Sequence, residues 1–196
     1  MTTDLLFALI GFAFVTSVTP GPNNMMLLAS GVNFGFRRTL PHMAGISLGH
    51  ALMVLLVGLG LAGVFAAFPA LMLSLKILSV LYMVWLAWKI ATSGEPQARG
   101  AAAPMGFWGA AAFQWVNPKA WAMALGAVGA YSGEGGPSQV ATIAVVFCAV
   151  NLPSVALWAG LGEGLRGVLS QPTRLRVFNW TMAGLLVLTL VPILRM

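Results

Sequence analysis

Six apolar stretches dominate this sequence, and each is long enough to cross a lipid bilayer. They lie at residues 5–30, 42–65, 71–90, 106–130, 139–161 and 175–194. A transmembrane helix needs about 20 predominantly apolar residues. Only 7% of the residues are charged, whereas a soluble domain carries about 25%. The stretches also lack the alternation of apolar and polar residues that marks the strands of a membrane barrel. The sequence therefore predicts an all-α integral membrane protein with six transmembrane helices.

The basic residues indicate how these spans are oriented. Seven of the ten basic residues fall in the connections after spans one, three and five or in the span ends that adjoin them: Arg37, Arg38, Lys89, Arg99, Arg166, Arg174 and Arg176. By the positive-inside rule these connections are cytoplasmic, so both termini are expected outside. Tryptophans near the same ends resemble an interfacial belt: Trp85, Trp88, Trp108, Trp158 and Trp180. Three basic residues do not follow the pattern: Lys76, Lys119 and Arg195. The net charge of +6 does not indicate nucleic-acid binding, because its residues are few and scattered.

The polar connection after span three divides the chain into two halves. The sequence predicts one membrane transport domain over residues 1–196, with repeat one at about 1–92, a cytoplasmic linker at about 93–104 and repeat two at about 105–196. Because each half holds three spans, an odd number, related halves must insert in opposite senses. We therefore expect two inverted three-helix repeats. The N-terminal stretch has Asp4 and no basic residue before its apolar run, which favours a retained span over a cleaved signal peptide.

A faint internal match supports the repeat. At an offset of 96 residues, Pro22 falls over Pro118, and Pro41 falls over Pro137. The second pair of prolines is expected to open spans two and five. Paired interrupted helices in inverted halves are the sequence-level sign of a secondary transporter's binding site.

Helices 1 and 4 are predicted to be interrupted. The interruptions read T-P-G-P-N-N at 19–24 and N-P-K at 117–119. A proline inside a helix has no N–H to donate and pushes away the carbonyl four residues earlier. The carbonyls freed in this way belong to Thr16, Val18 and Gln114. Within a membrane such groups are tolerated only where they face protein or a wet cavity.

The two interruptions together predict a site for a zwitterion. Asn23 and Asn24 begin a new helix, whose N-terminus carries partial positive charge and suits a carboxylate. Lys119 lies at membrane depth, where an ionisable residue is a functional candidate by default. Freed carbonyls and amide oxygens can accept from an ammonium. We therefore expect both breaks to converge around a small amino acid. A pair of proline kinks used only for packing is the alternative.

The same segments resemble the LysE/RhtB family of bacterial amino-acid exporters. The matching text is T-P-G-P-N-N-M-M-L-L-A-S-G-V-N-F-G-F-R-R-T-L-P-H-M-A-G-I-S-L-G at 19–49 and F-Q-W-V-N-P-K-A-W at 113–121. The resemblance covers essentially the whole chain. It implies export of amino acids or close derivatives across the bacterial inner membrane, by proton antiport with alternating access and without a cofactor. Substrates across this family include homoserine, threonine, leucine, basic amino acids and cysteine relatives. The substrate-binding positions that it implies are Pro20, Gly21, Pro22, Asn23, Asn24, Gln114, Asn117, Pro118 and Lys119.

The acidic residues narrow the substrate class. Asp4, Glu95, Glu134 and Glu163 all lie at span ends or in connections. A cationic substrate side chain would lack a buried carboxylate partner, so neutral zwitterionic amino acids are favoured. The faces of Trp115 and Trp121 are an alternative way of holding a cation.

Several other residues carry two interpretations each. His50 lies at membrane depth and is a candidate proton relay together with Lys119, because histidine titrates near neutrality; a packing role is the alternative. His42 lies nearer the cytoplasmic interface, where packing is favoured. The two histidines have no third ligand, so no metal site is predicted. Arg37 and Arg38 determine topology or form a gate.

Further positions are more simply structural. Asn151 and Pro153 interrupt span five, where packing is favoured over a site role. Lys76 is expected to extend to the outer surface, and Cys148 to be inert. Gly45 and Gly49 form a G-x-x-x-G pattern on span two, which indicates close packing within the chain in preference to the face of a homodimer.

Two other function classes compete with export. A membrane enzyme is not predicted, since the spans contain no buried acid, no H-E-x-x-H and no nucleophile set with suitable spacing. A passive channel or a non-transporting scaffold is the second alternative. Channels more often use rings of repeated polar residues, whereas the polar groups here cluster at two different breaks.

Overall fold

The computed structural model describes residues 1–93, 103–133 and 135–191. Every regular element in these ranges is helical, so the all-α prediction is confirmed. The α-helices are α1 Thr3–Val18, α2 Pro22–Phe34, α3 Phe36–Leu56, α4 Ala62–Ala67, α5 Pro69–Ala91, α6 Phe107–Val116, α7 Pro118–Tyr131, α8 Gly136–Leu165 and α9 Pro172–Leu188. A π-helical turn at Val57–Leu61 connects α3 to α4. Most of the predicted linker lies outside the described residues, as do Glu95, Arg99, Glu134 and Arg195.

Several helices are long and apolar enough to cross a membrane, as expected for a multi-pass membrane protein. Three are long and apolar enough to do so alone: Phe36–Leu61, Leu73–Ala91 and Gly136–Leu165. The pair Thr3–Val18 and Pro22–Phe34 adds a fourth crossing if it is one span bent by 55°. Helix α9 has 17 residues, and α6 and α7 have 10 and 14, each below the roughly 20 that a full crossing needs. The six-span count therefore stays a prediction.

Both predicted interruptions are present. The first break, residues 19–21, separates α1 from α2, and Gly21 there is fully extended with φ −176° and ψ 178°. The second break is Asn117, which is extended with φ −95° and ψ 107° between α6 and α7. A proline occupies the first helical position after each break. Proline suits this position because its missing N–H would have no partner there anyway.

Two boundary predictions were wrong. Pro41 does not open the second span, because it lies inside α3, which begins at Phe36. Gly35 sets that boundary with φ +85°, a conformation that glycine adopts readily and other residues rarely. Span five is not interrupted either, since α8 runs continuously through Pro153. Pro137, by contrast, lies in the first turn of α8 as expected.

Glycines allow the central helices to touch backbone to backbone. A Cβ on Gly31 of α2 would collide with the carbonyl of Ala159 in α8, and one on Gly162 with the carbonyl of Leu28. Gly45 and Gly49 of α3 meet α6 in the same way, at Phe107 and Ala111. The prediction that Gly45 and Gly49 pack within the chain is therefore confirmed. These contacts bring α2 against α8 and α3 against α6.

An apolar cluster links α1, which ends at the first break, to α7, which begins at the second. It joins α1, α3, α7 and α8 through fully buried side chains that include Leu9, Met53, Ala124 and Phe147. Burying a large apolar side chain contributes about 1.5–3 kcal/mol when its alternative is water. This packing fixes the end of α1 and the beginning of α7 next to each other.

Candidate functional site

A pair of amide side chains joins the two breaks. Asn23 at the start of α2 donates from Nδ2 to Oε1 of Gln114 at 2.9 Å. Gln114, near the end of α6, donates from Nε2 to Oδ1 of Asn23 at 3.3 Å. Gln114 also donates to the carbonyl of Ala110 at 2.9 Å, which fixes its orientation. Residues 91 positions apart in sequence are therefore in direct contact.

Lys119 reaches across from the second break to the first. Its Nζ donates to the carbonyl of Thr19 at 2.7 Å, to the Thr19 hydroxyl at 3.0 Å and to the carbonyl of Pro20 at 3.4 Å. Gly21 makes room for this arrangement, because a Cβ there would lie 2.7 Å from Cδ and 3.1 Å from Nζ of Lys119. The glycine is thus needed for close approach, since its extended backbone suits any residue.

Side chains also satisfy the other carbonyls that α1 leaves open at its end. Asn24 donates from Nδ2 to the carbonyls of Ser17 and Thr19, each at 2.8 Å. The indole of Trp158, on α8, donates to the carbonyl of Val18 at 3.0 Å. Backbone polar groups away from water need such partners. The carbonyls at the first break are therefore paired with side chains, whereas a simple proline kink would leave them without donors.

The second break is capped by its own residues. Asn117 accepts the backbone N–H of Lys119 on Oδ1 at 3.1 Å and so caps α7. Its own N–H donates to the carbonyl of Gln114 at 3.2 Å. That is the carbonyl which Pro118 was predicted to free.

A small cavity lies between the breaks. Its lining includes seven of the residues predicted from sequence: Gly21, Asn23, Asn24, His50, Gln114, Asn117 and Lys119. Pro20, Pro22 and Pro118 do not line it; they shape the backbone around it. Sequence reasoning missed or undervalued the other lining residues: Thr16, Ser17, Ala120, Met123, Asn151 and Val155.

The cavity is narrow in this conformation. It offers water-sized molecules about 20 Å³, which is room for about one water. An amino acid needs more space than this. A substrate therefore fits only if side chains such as Lys119 move or the helices shift.

Two buried polar side chains on the cavity lack hydrogen-bond partners among the described residues. They are Ser17 on α1 and His50 on α3. The imidazole of His50 packs edge-on against the ring of Phe147, with centroids 5.2 Å apart. One turn away, the hydroxyl of Ser47 donates to Oδ1 of Asn151 at 3.3 Å. Polar groups of this kind are costly to bury unpaired, so the cavity is suited to a polar guest.

The charges at the site are few. Of the described residues that line the cavity, Lys119 and His50 alone are titratable, and none is an aspartate or glutamate. Within the described ranges, no three histidine, cysteine or acidic side chains come together as a metal site would require. His42 is also buried and without a partner in those ranges, but it does not line the cavity.

Several remaining residues lie away from the cavity. The indole of Trp121 donates to the carbonyl of Trp115 at 2.8 Å, and neither tryptophan lines the cavity. Asn33 of α2 donates to Oδ1 of Asn179 at 3.2 Å, and Asn179 donates to the carbonyl of Ser93 at 3.0 Å. This second polar network ties α2 to α9 and the end of α5. No spacing in the sequence pointed to it.

Comparison with known proteins identifies the family. The sequence model of the LysE type translocators matches residues 14–192, a range that includes both breaks and every cavity-lining residue. The chain belongs to the LysE type translocator family. This confirms the resemblance found in the sequence. The family's description is that of a translocator, which is a transport function and not a catalytic one.

Among LysE-family relatives, this chain is similar to proteins named cysteine/O-acetylserine efflux protein. The protein of Escherichia coli strain K12 is 42% identical over 120 residues, which are 61% of each chain. The protein of Salmonella typhimurium strain LT2 is 40% identical over the same share of each chain. The alignment thus spans less than two thirds of either relative. No solved structure matches the chain.

Proposed function

We propose that this LysE-family protein exports small neutral zwitterionic amino acids or their close derivatives through the cavity between its two breaks. One observation carries the proposal: Asn23 and Gln114 bind each other, and Lys119 bonds to Thr19 and Pro20, around a polar cavity. Proline-broken helices with polar groups at membrane depth are the binding device of secondary transporters. The channel and scaffold alternatives gain no support from this geometry.

The substrate class follows from the charges. A neutral amino acid carries one carboxylate and one ammonium. The cavity supplies the N-terminal ends of α2 and α7 for the former, and carbonyl and amide oxygens for the latter. None of the described lining residues is acidic, so no carboxylate there would pair with a cationic side chain. Cysteine and O-acetylserine, which relatives are named for, both belong to this class.

Each predicted site residue has a role in this proposal. Asn23, Asn24, Gln114, Asn117 and Lys119 present polar groups to the substrate. Gly21 gives Lys119 access, and Pro20, Pro22 and Pro118 keep the helix ends open. Lys119 and His50 are the candidates for carrying the proton.

The transport cycle proposed here is proton antiport by alternating access. Six spans in two inverted three-helix repeats would rock around the fixed site, with both termini outside the bacterial inner membrane. The narrow cavity would then be one stage of that cycle. The protein would work as a monomer or as a homodimer in the bilayer.

Purified protein in liposomes tests the proposal. A panel of O-acetylserine, cysteine, homoserine, threonine, leucine and lysine is offered with and without a proton gradient. We expect gradient-driven accumulation of the short neutral compounds and none of lysine. Transport that only equalises concentrations would indicate a channel, and no transport of any compound would reject the proposal.

The Lys119→Ala variant belongs in the same assay. It should insert in the membrane at the normal level and lose proton-driven accumulation. Accumulation at the wild-type rate would remove Lys119 from the site.

A further inference from the structure

The ammonium of Lys119 has acceptors of an unusual kind. Its hydrogen bonds go to two backbone carbonyls, of Thr19 and Pro20, and to the Thr19 hydroxyl. None of the described residues that line this cavity is acidic, so no carboxylate competes for it there. The lysine therefore uses the oxygens that the first break exposes.

An amino acid's α-ammonium has the same needs as a lysine ammonium. Both carry one positive charge and three N–H donors. Thr19 and Pro20 are exposed. Their oxygens accept hydrogen bonds from the ammonium of Lys119 in this conformation. The carbonyl of Val18 accepts from Trp158, and that of Ser17 accepts from Asn24. The carbonyl of Thr19 accepts from both Asn24 and Lys119. Lys119 is the cation among these donors, so its departure would free its hydrogen-bonding positions on the oxygens of Thr19 and Pro20.

We propose that Thr19 and Pro20 bind the α-ammonium of the substrate, and that Lys119 occupies the same oxygens when the transporter is empty. This inference rests on the proposed function and adds a binding residue, Thr19, together with a mechanism of coupling. One set of oxygens accepts either ammonium but not both. Substrate and protonated Lys119 are then mutually exclusive, which is what an antiporter requires.

The exchange balances in charge and protons. A zwitterion arriving from the cytoplasm places its ammonium on Thr19 and Pro20 and displaces Lys119. Once displaced, the ammonium of Lys119 has lost its hydrogen-bond acceptors and lies beside the ammonium of the substrate. It therefore releases one proton to the cytoplasm. On the outer side one proton returns to Lys119, which takes back the oxygens and expels the zwitterion. One amino acid leaves the cell for each proton that enters.

Few other charges act on Lys119. The other titratable group among the described cavity-lining residues is His50, on α3. The elements that carry the remaining lining residues, α1, α2, α6 and α8, present neutral side chains to the cavity. Among the described lining residues, Lys119 and His50 are therefore the two candidates for a pH dependence of substrate binding, and variants distinguish them.

Substrate chemistry gives the first test. O-acetyl-L-serine and N-acetyl-L-serine are isomers, but only the former has a cationic α-ammonium. We expect O-acetyl-L-serine to bind the purified protein and N-acetyl-L-serine not to compete with it. Equal competition by both isomers would overturn the assignment of Thr19 and Pro20.

The Lys119→Met variant gives the second test. Between about pH 6 and pH 8, wild-type affinity for O-acetyl-L-serine should weaken by about tenfold for each unit of falling pH, as for displacement of one proton. The variant should bind without this pH dependence and lose proton-driven accumulation, while exchange of labelled for unlabelled substrate persists. Loss of binding would make Lys119 a carboxylate anchor instead. A pH dependence that survives would assign coupling to His50. Either result overturns the inference.

A third variant keeps the lysine and removes its access. In Gly21→Ala the new methyl group would meet Cδ and Nζ of Lys119, so the lysine is pushed off the oxygens. Binding should become tighter at low pH and accumulation should fall. Gly129→Ala is the matched control, because nothing lies within 4 Å of a Cβ there. Wild-type behaviour of Gly21→Ala would contradict the competition. If the wild-type protein transports none of the panel compounds, the proposed function itself is rejected. If the wild type transports but the Lys119 variant binds and accumulates substrate as the wild type does, only the present inference is rejected.

Discussion

At the scale of single residues, side-chain amides replace the backbone donors that proline removes. Asn24 donates to two carbonyls of the first break, and Asn117 caps α7. The sequence placed both asparagines at the breaks as substrate-binding candidates, but it did not predict that they would bond to the backbone of the breaks. The sequence did not predict that Ser17, Met123 and Val155 line the cavity, because the packing of separate helices determines which residues face it. Thr19 escaped notice for the same reason, since its partner lies 100 residues away.

The amide pair between the breaks makes a testable prediction. Gln114→Ala removes both hydrogen bonds between residues 114 and 23, and it leaves the side-chain amide of Asn23 without this partner. Such a loss costs about 1–3 kcal/mol, so the melting temperature in detergent and the export rate should both fall. Gln139→Ala is the matched control, because Gln139 donates to the carbonyl of Tyr131 at 2.6 Å and does not line the cavity. Equal export by the two variants would show that the amide pair is only structural.

At the scale of the elements, proline and glycine positions determine where helices end and how closely they approach. Both breaks were predictable, because proline there stands beside glycine or asparagine, whereas a proline without them, such as Pro41, lies inside a helix. The continuous path of α8 through Pro153 was not. Its freed carbonyl, that of Ala149, is tolerated within a long helix that packs against several neighbours. The role of Gly35 in separating α2 from α3 was also missed, since one glycine among apolar residues carries no signal of a positive φ.

Removing the ring of Pro22 should close the first break. The ring crowds the carbonyl of Val18 and disfavours a helical conformation of Gly21, so Pro22→Ala lets α1 and α2 approach one continuous helix. We expect export to fall strongly while the protein still inserts. Pro153→Ala, where the helix is already continuous, should export normally. Wild-type export by Pro22→Ala would mean that the break has no functional role.

The contact between α2 and α8 should tolerate no added atom. Gly162→Ala places a methyl group against the carbonyl of Leu28, and overpacking of this kind costs about 1–3 kcal/mol. Gly160→Ala, with nothing within 4 Å of the added Cβ, should be neutral or stabilising, since alanine favours helix over glycine. Thermal unfolding in detergent measures both. A melting temperature for Gly162→Ala equal to that of Gly160→Ala would contradict the close contact.

At the scale of the whole molecule, composition alone determined the class. A chain with 59% hydrophobic residues and few charges has no soluble fold that would bury its surface. Orientation and the six-span count depend on the bilayer, and both stay predictions. The conformational state was beyond sequence reasoning, because nothing in the sequence distinguishes a narrow cavity from an open one.

Orientation is measurable with single cysteines. The chain has one cysteine, Cys148, so Cys148→Ala gives a clean background. In intact cells, Thr2→Cys should react with a membrane-impermeant maleimide, and Ser170→Cys, after α8, should react only once the membrane is opened. The reverse pattern would place both termini in the cytoplasm.

Substrate protection of a cavity residue tests the central claim most directly, namely that the substrate binds between the two breaks. In the Cys148→Ala background, Ser17→Cys puts a nearly isosteric thiol on the cavity, and Ser132→Cys puts one at the end of α7, away from it. Saturating O-acetyl-L-serine should slow the reaction of Ser17→Cys with a small methanethiosulfonate reagent and leave that of Ser132→Cys unchanged. Equal rates with and without substrate at Ser17→Cys, in protein that still transports, would place the substrate elsewhere.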